Sequence, residues 1–214
     1  MKKDLEIILL GKEKVGKTQI LNKLISEKEK SNKSSHSIQL ENYNRTYSPN
    51  ERHVTINLIE ENKIKEKNLI IYGLPGTEKF NKINDTFLRT AKIIFLVYDM
   101  TNIESFMKLY DLNNLLYEND NVLKCVIANK SDLIEKRMIS EDDGKKFAKT
   151  IRAHYFETNV FSNINNLFSE IVYIYSKDYE NKEENDKKNK NYKLKKRKKK
   201  SLVVLWIIEL LHMT

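Results

Sequence analysis

The sequence predicts an α/β protein with a mostly parallel sheet and helices on both faces. Short apolar runs alternate with segments of helical periodicity from residue 5 to about residue 175, which is the pattern of repeated strand–helix–strand units. One pair of strands, 54–59 and 68–72, is joined only by a polar turn at 60–67, and this predicts a single antiparallel pair.

The remaining elements follow in chain order. Residues 27–50 are rich in Lys, Ser and Asn with little periodicity, and predict a mobile loop. Ser140 begins the run Ser-Glu-Asp-Asp, which is typical of a helix N-cap. The other predicted strands are 5–10, 92–98, 122–128 and 155–157, and the predicted helices are 18–26, 84–90, 103–117, 145–151 and 163–175.

The positive charge is concentrated outside the predicted fold. The chain carries a net charge of +9, and residues 181–200 hold eleven Lys/Arg against three acidic residues. The part that can fold is therefore nearly neutral, and we expect no nucleic-acid partner for it. The single cysteine, Cys125, lies in an apolar run and is predicted to be a buried core residue.

A phosphate-binding loop is predicted at Gly11–Thr18, which reads G-K-E-K-V-G-K-T and fits the pattern G-x-x-x-x-G-K-[ST]. The alternative is a surface turn, but a predicted strand directly before and a helix directly after favour the phosphate loop. The glycines let backbone N–H groups of residues 14–18 curl around a diphosphate. Lys17 supplies a mobile charge for the β- and γ-phosphates, and the Thr18 hydroxyl is a ligand for Mg²⁺.

A second polar loop, Asn129-Lys130-Ser131-Asp132, follows the predicted strand 122–128. The Asp132 carboxylate can accept from both N1–H and the 2-amino group of guanine, whereas adenine lacks this donor pair. Asn129 can tie this loop to the phosphate loop, and the Lys130 stem can lie along the base plane. Downstream of a phosphate loop, this pattern predicts a guanine-nucleotide site and disfavours an ATPase.

The chain resembles the Ras-like small GTPases, and the Rab branch most, over residues 4–176. The matching segments are LLGKEKVGKT, YSPN, GLPGTEKF, LVYDMTNIESF, ANKSD and FETNV. The resemblance implies a P-loop small G-domain with a six-stranded sheet, two switch loops and a Mg²⁺-dependent cycle between GTP and GDP. It also places Val160, in a segment where the family has E-T-S-A-K, with its N–H toward the guanine oxygen, and Tyr43 where an aromatic ring often stacks on the base.

Motifs and resemblance together give a set of candidate site residues. The predicted Mg²⁺ ligands are Thr18 and Asn50. The predicted nucleotide-binding residues are Gly11, Glu13, Lys14, Val15, Gly16, Lys17, Thr18, Gln19, Gly76, Asn129, Lys130, Asp132, Asn159, Val160 and Phe161.

The chain departs from the family at the γ-phosphate. Gly73 stands where the family has the aspartate that orients Mg²⁺ through water, and Thr77 stands where it has the glutamine that orients the attacking water. Asn50 replaces the first-switch threonine and retains a carbonyl oxygen for Mg²⁺. These losses predict slow or absent GTP hydrolysis, with no catalytic residue assigned; the alternative is that another side chain such as Glu13 or Glu78 compensates.

The change in composition towards the end of the chain predicts three parts. These are a small GTPase domain at 1–178, a disordered polybasic linker at 179–200 and a short apolar tail at 201–214. The basic run beside an apolar segment containing Trp206 suits an anionic membrane surface, contacted through 187–211. The alternatives are a disordered tail, a nuclear-localisation-like run, or an incorrect gene prediction. No C-terminal prenylation cysteine is seen.

Two functions remain open at this point. The first is a guanine-nucleotide-dependent switch in vesicle traffic or signalling, cytoplasmic or peripheral on the cytosolic face of a membrane. Such a switch would engage effector and regulatory proteins through residues 45–60 and 73–90. The second is a pseudo-GTPase scaffold that does not cycle between nucleotide states.

Overall fold

The computed structural model describes residues 4–31, 50–60, 63–74, 84–116, 122–159 and 161–180. Within them one sheet contains six strands, which are β1 (Leu5–Leu10), β2 (Asn50–Glu60), β3 (Lys63–Gly73), β4 (Ile93–Asp99), β5 (Leu123–Asn129) and β6 (His154–Glu157). Their order in the sheet is β2-β3-β1-β4-β5-β6, with only the β2–β3 pair antiparallel. The predicted α/β class is confirmed.

Five α-helices are described between and after these strands. They are α1 (Lys17–Ser31), α2 (Asn84–Thr90), α3 (Ile103–Leu115), α4 (Glu141–Thr150) and α5 (Ile164–Tyr175). A 3₁₀ turn at Ile134–Lys136 lies between β5 and α4, and a π-helical turn at Ser176–Glu180 follows α5.

The core lies on both faces of the central strands. Every residue of β4 is buried, as expected for a parallel strand covered on both sides, and this explains its unbroken apolar sequence. On one face Phe95 meets Phe168 of α5, with ring centroids 5.1 Å apart. On the other face Tyr98 contacts Phe106 of α3 at 5.0 Å. Cys125 is buried, as predicted, and burial raises the pKa of its thiol.

The helix predicted at 145–151 begins at Glu141 and the strand predicted at 54–59 begins at Asn50, and two other predicted boundaries were further in error. The first helix does not end at residue 26 but continues to Ser31, so 27–31 are not loop. The side chain of Glu27 faces inward along this extension, where its carboxylate accepts from the N–H groups of Ile164 and Asn165 at 3.3 and 2.8 Å. The remainder of the predicted loop, 32–49, lies outside the described residues.

The second error concerns the predicted turn at 60–67. β2 runs through Glu60 and β3 begins at Lys63, so only two residues connect the strands. The polar residues at 63–67 were interpreted as a turn, but they form the start of β3 and pair with residues 56–60 of β2. Ile56 and Leu58 of β2 are buried, and two residues are enough to connect the strands of a hairpin.

The predicted N-cap at Ser140 is confirmed, because its hydroxyl accepts from the Asp143 N–H at 3.1 Å. Asn102 caps α3 in the same way, accepting from the Ser105 N–H at 3.0 Å. These caps satisfy donors that the first turn of a helix leaves unpaired. Both fix the start of helices that follow polar loops at the carboxyl edge of the sheet.

The chain divides into two compact units, residues 1–173 and 174–214. In the second unit, the described residues are the end of α5 and the π-helical turn, where the rings of Tyr175 and Tyr179 stack with centroids 5.6 Å apart. Across the described ranges, no helix combines the length and apolar character required to cross a bilayer.

Candidate nucleotide-binding site

The loops that carry the candidate site follow the ends of parallel strands. β1 ends at Leu10 before the phosphate loop, β4 ends at Asp99, β5 ends at Asn129 and β6 ends at Glu157. In the sheet register Asp99 lies opposite Asn129. Because all four strands run the same way, their following loops meet at one edge, the usual place for a ligand in an open α/β sheet.

The backbone of the phosphate loop has the conformation that its glycines permit. Gly11 and Gly16 have φ values of 155° and 100°. A Cβ atom at Gly11 would lie 2.2 Å from the Val97 carbonyl oxygen, and one at Gly16 would lie 2.2 Å from Asn129 Nδ2. Only glycine therefore fits at either position. Lys14 also has a positive φ, 65°, a conformation that costs about 1–2 kcal/mol in a residue other than glycine.

The charged group of the loop is Lys17, which is only 8% exposed. Its ammonium donates to the carbonyl oxygens of Gly11 and Lys12 at 2.6 and 2.9 Å. An ammonium has three donors, so one remains beyond these two. Burial lowers the pKa of Lys17 to about 8, while the Glu13 carboxylate acts in the opposite direction. A buried ammonium that is bonded to two neutral carbonyls is suited to pair with an anion through its remaining donor.

Asn129 joins the two predicted ligand loops. Its side-chain Nδ2 donates to the Val15 carbonyl oxygen at 2.7 Å, and the hydrogen bond expected of it is therefore present. Asn129 is 5% exposed and Val15 is 1% exposed. Loss of this buried bond would leave both partners unsatisfied, at a cost of about 1–3 kcal/mol.

The position of Lys130 depends on Asp99, a residue that the sequence reasoning did not assign to the site. Lys130 Nζ lies 2.5 Å from Asp99 Oδ2, and Lys130 has a φ of 65°. The other carboxylate oxygen of Asp99 accepts from the N–H and hydroxyl of Thr101 at 2.9 and 2.7 Å. Burial raises the pKa of Asp99, but the bonds from Lys130 and Thr101 outweigh it and hold that pKa below its usual value. The parallel order of β4 and β5 was the signal that could have placed Asp99 beside Lys130.

A third loop, after β6, is hydrogen-bonded to the loop at 129–132. The Ser131 N–H donates to the Thr158 carbonyl at 3.1 Å, and Asn159 Nδ2 donates to Ser131 Oγ at 2.9 Å. Behind them, Arg137 and Glu157 form a bidentate pair at 2.9 and 2.8 Å. Hydrogen bonding from Arg137 lowers the pKa of Glu157. This pair, also missed from the sequence, links the segment after the 3₁₀ turn to the end of β6.

The γ-phosphate side is described only in part. Gly73 is the last residue of β3 and lies opposite Leu9 of β1 and Asn50 of β2 in the register. The Leu74 N–H donates to the Leu9 carbonyl at 3.1 Å, which keeps Gly73 against the strand that leads into the phosphate loop. Asn50 and Gly73 therefore lie at the same edge as the phosphate loop.

The other candidate residues divide into exposed and undescribed positions. Asp132 is exposed and, among the described residues, has no ion-pair partner. Thr18 is partly buried at the start of α1, and Gln19 is exposed one residue later. Tyr43, Gly76, Thr77, Glu78 and Val160 lie outside the described residues.

The sheet order, the glycine-dependent loop and the buried lysine define a P-loop small G-domain. Comparison with known families agrees, since residues 6–177 match the Ras family. The chain belongs to that family.

Individual relatives support the same assignment. The chain is 30% identical over 142 residues to the Ras-like protein rasS of Dictyostelium discoideum, covering 64% of this chain and 73% of that protein. It is 34% identical to the Ras-related protein Rab-10 of Diplobatis ommata, over 47% of this chain and 52% of that protein. With the Ras-related protein RABA4b of Arabidopsis thaliana it shares 30% identity, over 78% of this chain and 70% of that protein. The match to Rab-10 thus spans only about half the length of that relative.

Proposed function

We propose that this chain binds GTP and GDP at the carboxyl edge of its sheet. The observation that carries the proposal is the hydrogen bond from Asn129 to the Val15 carbonyl, which joins a loop suited to diphosphate with a loop suited to guanine. Lys17 provides a buried positive charge on the phosphate side. The exposed Asp132 provides a carboxylate on the base side that can accept from N1–H and the 2-amino group of guanine.

The proposal includes Mg²⁺ as the partner of the phosphates. The Thr18 hydroxyl at the start of α1 is a hard oxygen ligand of the type that Mg²⁺ prefers. Asn50 begins β2 opposite Gly73 and offers a carbonyl oxygen. Bound Mg²⁺ would neutralise phosphate charge. With no carboxylate at position 73, we expect the metal to add less to nucleotide affinity than it does in relatives that retain one, because an outer-shell partner typically contributes about 10–100-fold.

The first test is the nucleotide content of the purified full-length protein, followed by affinities for GDP, GTP and ATP with and without Mg²⁺. We expect bound guanosine phosphate and strong discrimination against ATP. Asp132→Ala should weaken GDP binding by at least about tenfold, since charge-assisted hydrogen bonds contribute about 1.5–3 kcal/mol. Glu135→Ala is the matched control, because Glu135 is an exposed carboxylate three residues further on. The proposal would be refuted if the purified protein contained no guanosine phosphate and neither substitution changed its GDP affinity.

We further propose that GTP hydrolysis is slow. Gly73 has no side chain to orient Mg²⁺-bound water, and Thr77 lacks the amide that positions the attacking water. A small GTPase that retains this glutamine hydrolyses GTP at only about 10⁻⁴ s⁻¹ on its own, and this chain should be slower. A single-turnover assay measures the rate, with Gly73→Asp combined with Thr77→Gln expected to raise it. Wild-type hydrolysis as fast as that of an ordinary Rab protein would contradict the proposal.

The competing function is a scaffold that holds one nucleotide state or none. The substitutions at Asn50, Gly73 and Thr77 favour it, whereas the phosphate and base loops favour a switch. Partner binding through residues 45–60 and 73–90 separates the two. A switch would give different affinities for effector and regulatory proteins in the GDP- and GTP-loaded forms, and a scaffold would give equal ones.

We also propose that residues 187–211 bring the protein to an anionic cytosolic membrane surface, consistent with a role in vesicle traffic. The support is the polybasic run followed by an apolar segment with Trp206. Co-sedimentation with vesicles containing phosphatidylserine should retain the full chain and lose a 1–180 truncation. Equal binding of the two forms, or binding insensitive to salt, would remove this part of the proposal.

A further inference from the structure

An ion pair joins the phosphate loop to the start of α3. The Lys12 ammonium donates to Glu104 Oε2, although 92 residues separate the two in the chain. Their side chains are 35% and 74% exposed, so the pair lies at the protein surface. Because the phosphate-loop pattern leaves the residue type at position 12 open, this contact depends on the particular sequence of this chain and not on the motif.

The backbone of Lys12 also belongs to the phosphate site. Its carbonyl oxygen accepts from Lys17 Nζ at 2.9 Å, and the Gly11 carbonyl accepts from the same atom at 2.6 Å. These two acceptors determine where the buried ammonium lies, and they leave one of its three donors for an anion. A shift of residue 12 would therefore move one of the two groups that hold Lys17 in place.

The start of α3 is held firmly, and this makes Glu104 the fixed member of the pair. Asn102 Oδ1 accepts from the Ser105 N–H at 3.0 Å and caps the helix. The Ser105 hydroxyl, which is buried, accepts from the Asp99 N–H at 3.0 Å and donates to the Asn102 carbonyl at 2.7 Å. Glu104 is thus carried on a helix start that is hydrogen-bonded to the end of β4, and its carboxylate restrains a side chain of the phosphate loop.

We infer that Glu104 is a positioning residue: by pairing with Lys12 it steadies the carbonyl that holds Lys17, and so slows the release of bound GDP. This inference deepens the proposed function and rests on it. The competing account is a long-range effect of the two charges on the phosphates, and the two accounts differ in sign. By charge alone, loss of the Glu104 carboxylate strengthens GDP binding and loss of the Lys12 ammonium weakens it. Loss of a positioning contact weakens GDP binding in both cases.

The experiment measures GDP release rates for full-length wild type, Lys12→Met, Glu104→Gln and the double variant. We expect each single substitution to speed release by about two- to fivefold, the range that an exposed ion pair contributes. The double variant should be no faster than the single ones, because all three lose the same contact. The matched control is Asp111→Asn, which removes the exposed Lys108–Asp111 pair at 3.1 Å on the same helix and should leave the release rate unchanged.

Salt provides a second readout. Because an exposed ion pair is screened at high ionic strength, the ratio of the Glu104→Gln release rate to the wild-type rate should fall towards one in about 1 M salt. A Glu104→Gln rate equal to or below that of wild type at low salt, or a double variant that releases GDP at the wild-type rate, would overturn the positioning role and leave the proposed function intact. Wild type that binds no guanine nucleotide would overturn the proposed function itself.

Discussion

Replacement of Gly16 by alanine tests the central contact of the site. The new Cβ would lie 2.2 Å from Asn129 Nδ2, the atom that donates to the Val15 carbonyl. Alanine at a φ of 100° costs about 1–2 kcal/mol. Displacing Asn129 leaves a buried amide and carbonyl unpaired, at about 1–3 kcal/mol.

The total, about 2–5 kcal/mol, divides between folding and binding. The free protein can relax by moving Asn129 away, but the bound form needs both loops in register. We therefore expect most of the cost in GDP affinity, a loss of roughly 30- to 4000-fold. Any part that remains in the free protein lowers Tm by about 2–4 °C per kcal/mol for a chain of this size.

The assays are GDP titration and thermal unfolding with and without GDP. Gly144→Ala is the control, because its Cβ would lie 2.5 Å from Tyr155 Cε2 and 2.8 Å from Tyr98 Oη, in the core beside α4. That variant should lower Tm and leave GDP affinity unchanged. Gly16→Ala protein with GDP affinity within about threefold of wild type would refute the role given to the Asn129 contact.

Three further perturbations follow from the described contacts. Because burial lowers the pKa of Lys17 to about 8 from 10.5, the unfolded chain binds more protons than the folded one between these values. As the pH rises between these two pKa values, the nucleotide-free protein should therefore gain stability, while GDP affinity falls about tenfold per pH unit. Calorimetry should detect proton uptake on GDP binding in this pH range, and absence of that uptake would contradict the prediction. Asp99→Asn should speed GDP release by about tenfold, and the effect should disappear in a Lys130→Met background; persistence there would show that Asp99 does not act through Lys130. Glu27→Ala should lower the free energy of unfolding by about 1–2 kcal/mol, because the start of α5 loses the carboxylate that accepts its N–H groups. Glu170→Ala, a change within α5 itself, is the neutral control. Equal denaturation midpoints for wild type and Glu27→Ala would refute the capping role of Glu27.

The parallel sheet was predictable because its central strands β1, β4 and β5 are almost entirely buried. Strands covered on both faces are mainly apolar, so their sequences stand out from those of amphipathic helices. The full length of the outer hairpin was not predictable, because the polar residues at 63–67, which begin β3, resemble a turn. The extension of α1 to Ser31 was missed for a related reason: its last turns are charged, and the contact of Glu27 with α5 spans more than one hundred residues.

Within the candidate site, sequence reasoning anticipated the backbone geometry that a motif encodes and missed the contacts that side chains make across loops. Gly11 and Gly16 could be assigned because their spacing around Lys17 has one common structural meaning. Asp99 and Arg137 could not, because their partners are distant in sequence and no local pattern marks an ion pair. Asp99 contacts the candidate residue Lys130, and Arg137 contacts Glu157 at the end of β6, so the topology was needed before either could be assigned.

The contacts divide the site into two halves with different consequences for function. In one half, hydrogen bonds join the phosphate loop to the loop at 129–132, and that loop to the loop after β6. In the other half, Gly73 lies between two strands and has no side chain with which to contact a terminal phosphate. A protein built in this way is expected to hold GDP and GTP with similar strength, since a ligand shifts a conformational equilibrium only by its differential affinity for the two states. GTP affinity more than about one hundredfold above GDP affinity would require a strong γ-phosphate contact and would contradict this expectation.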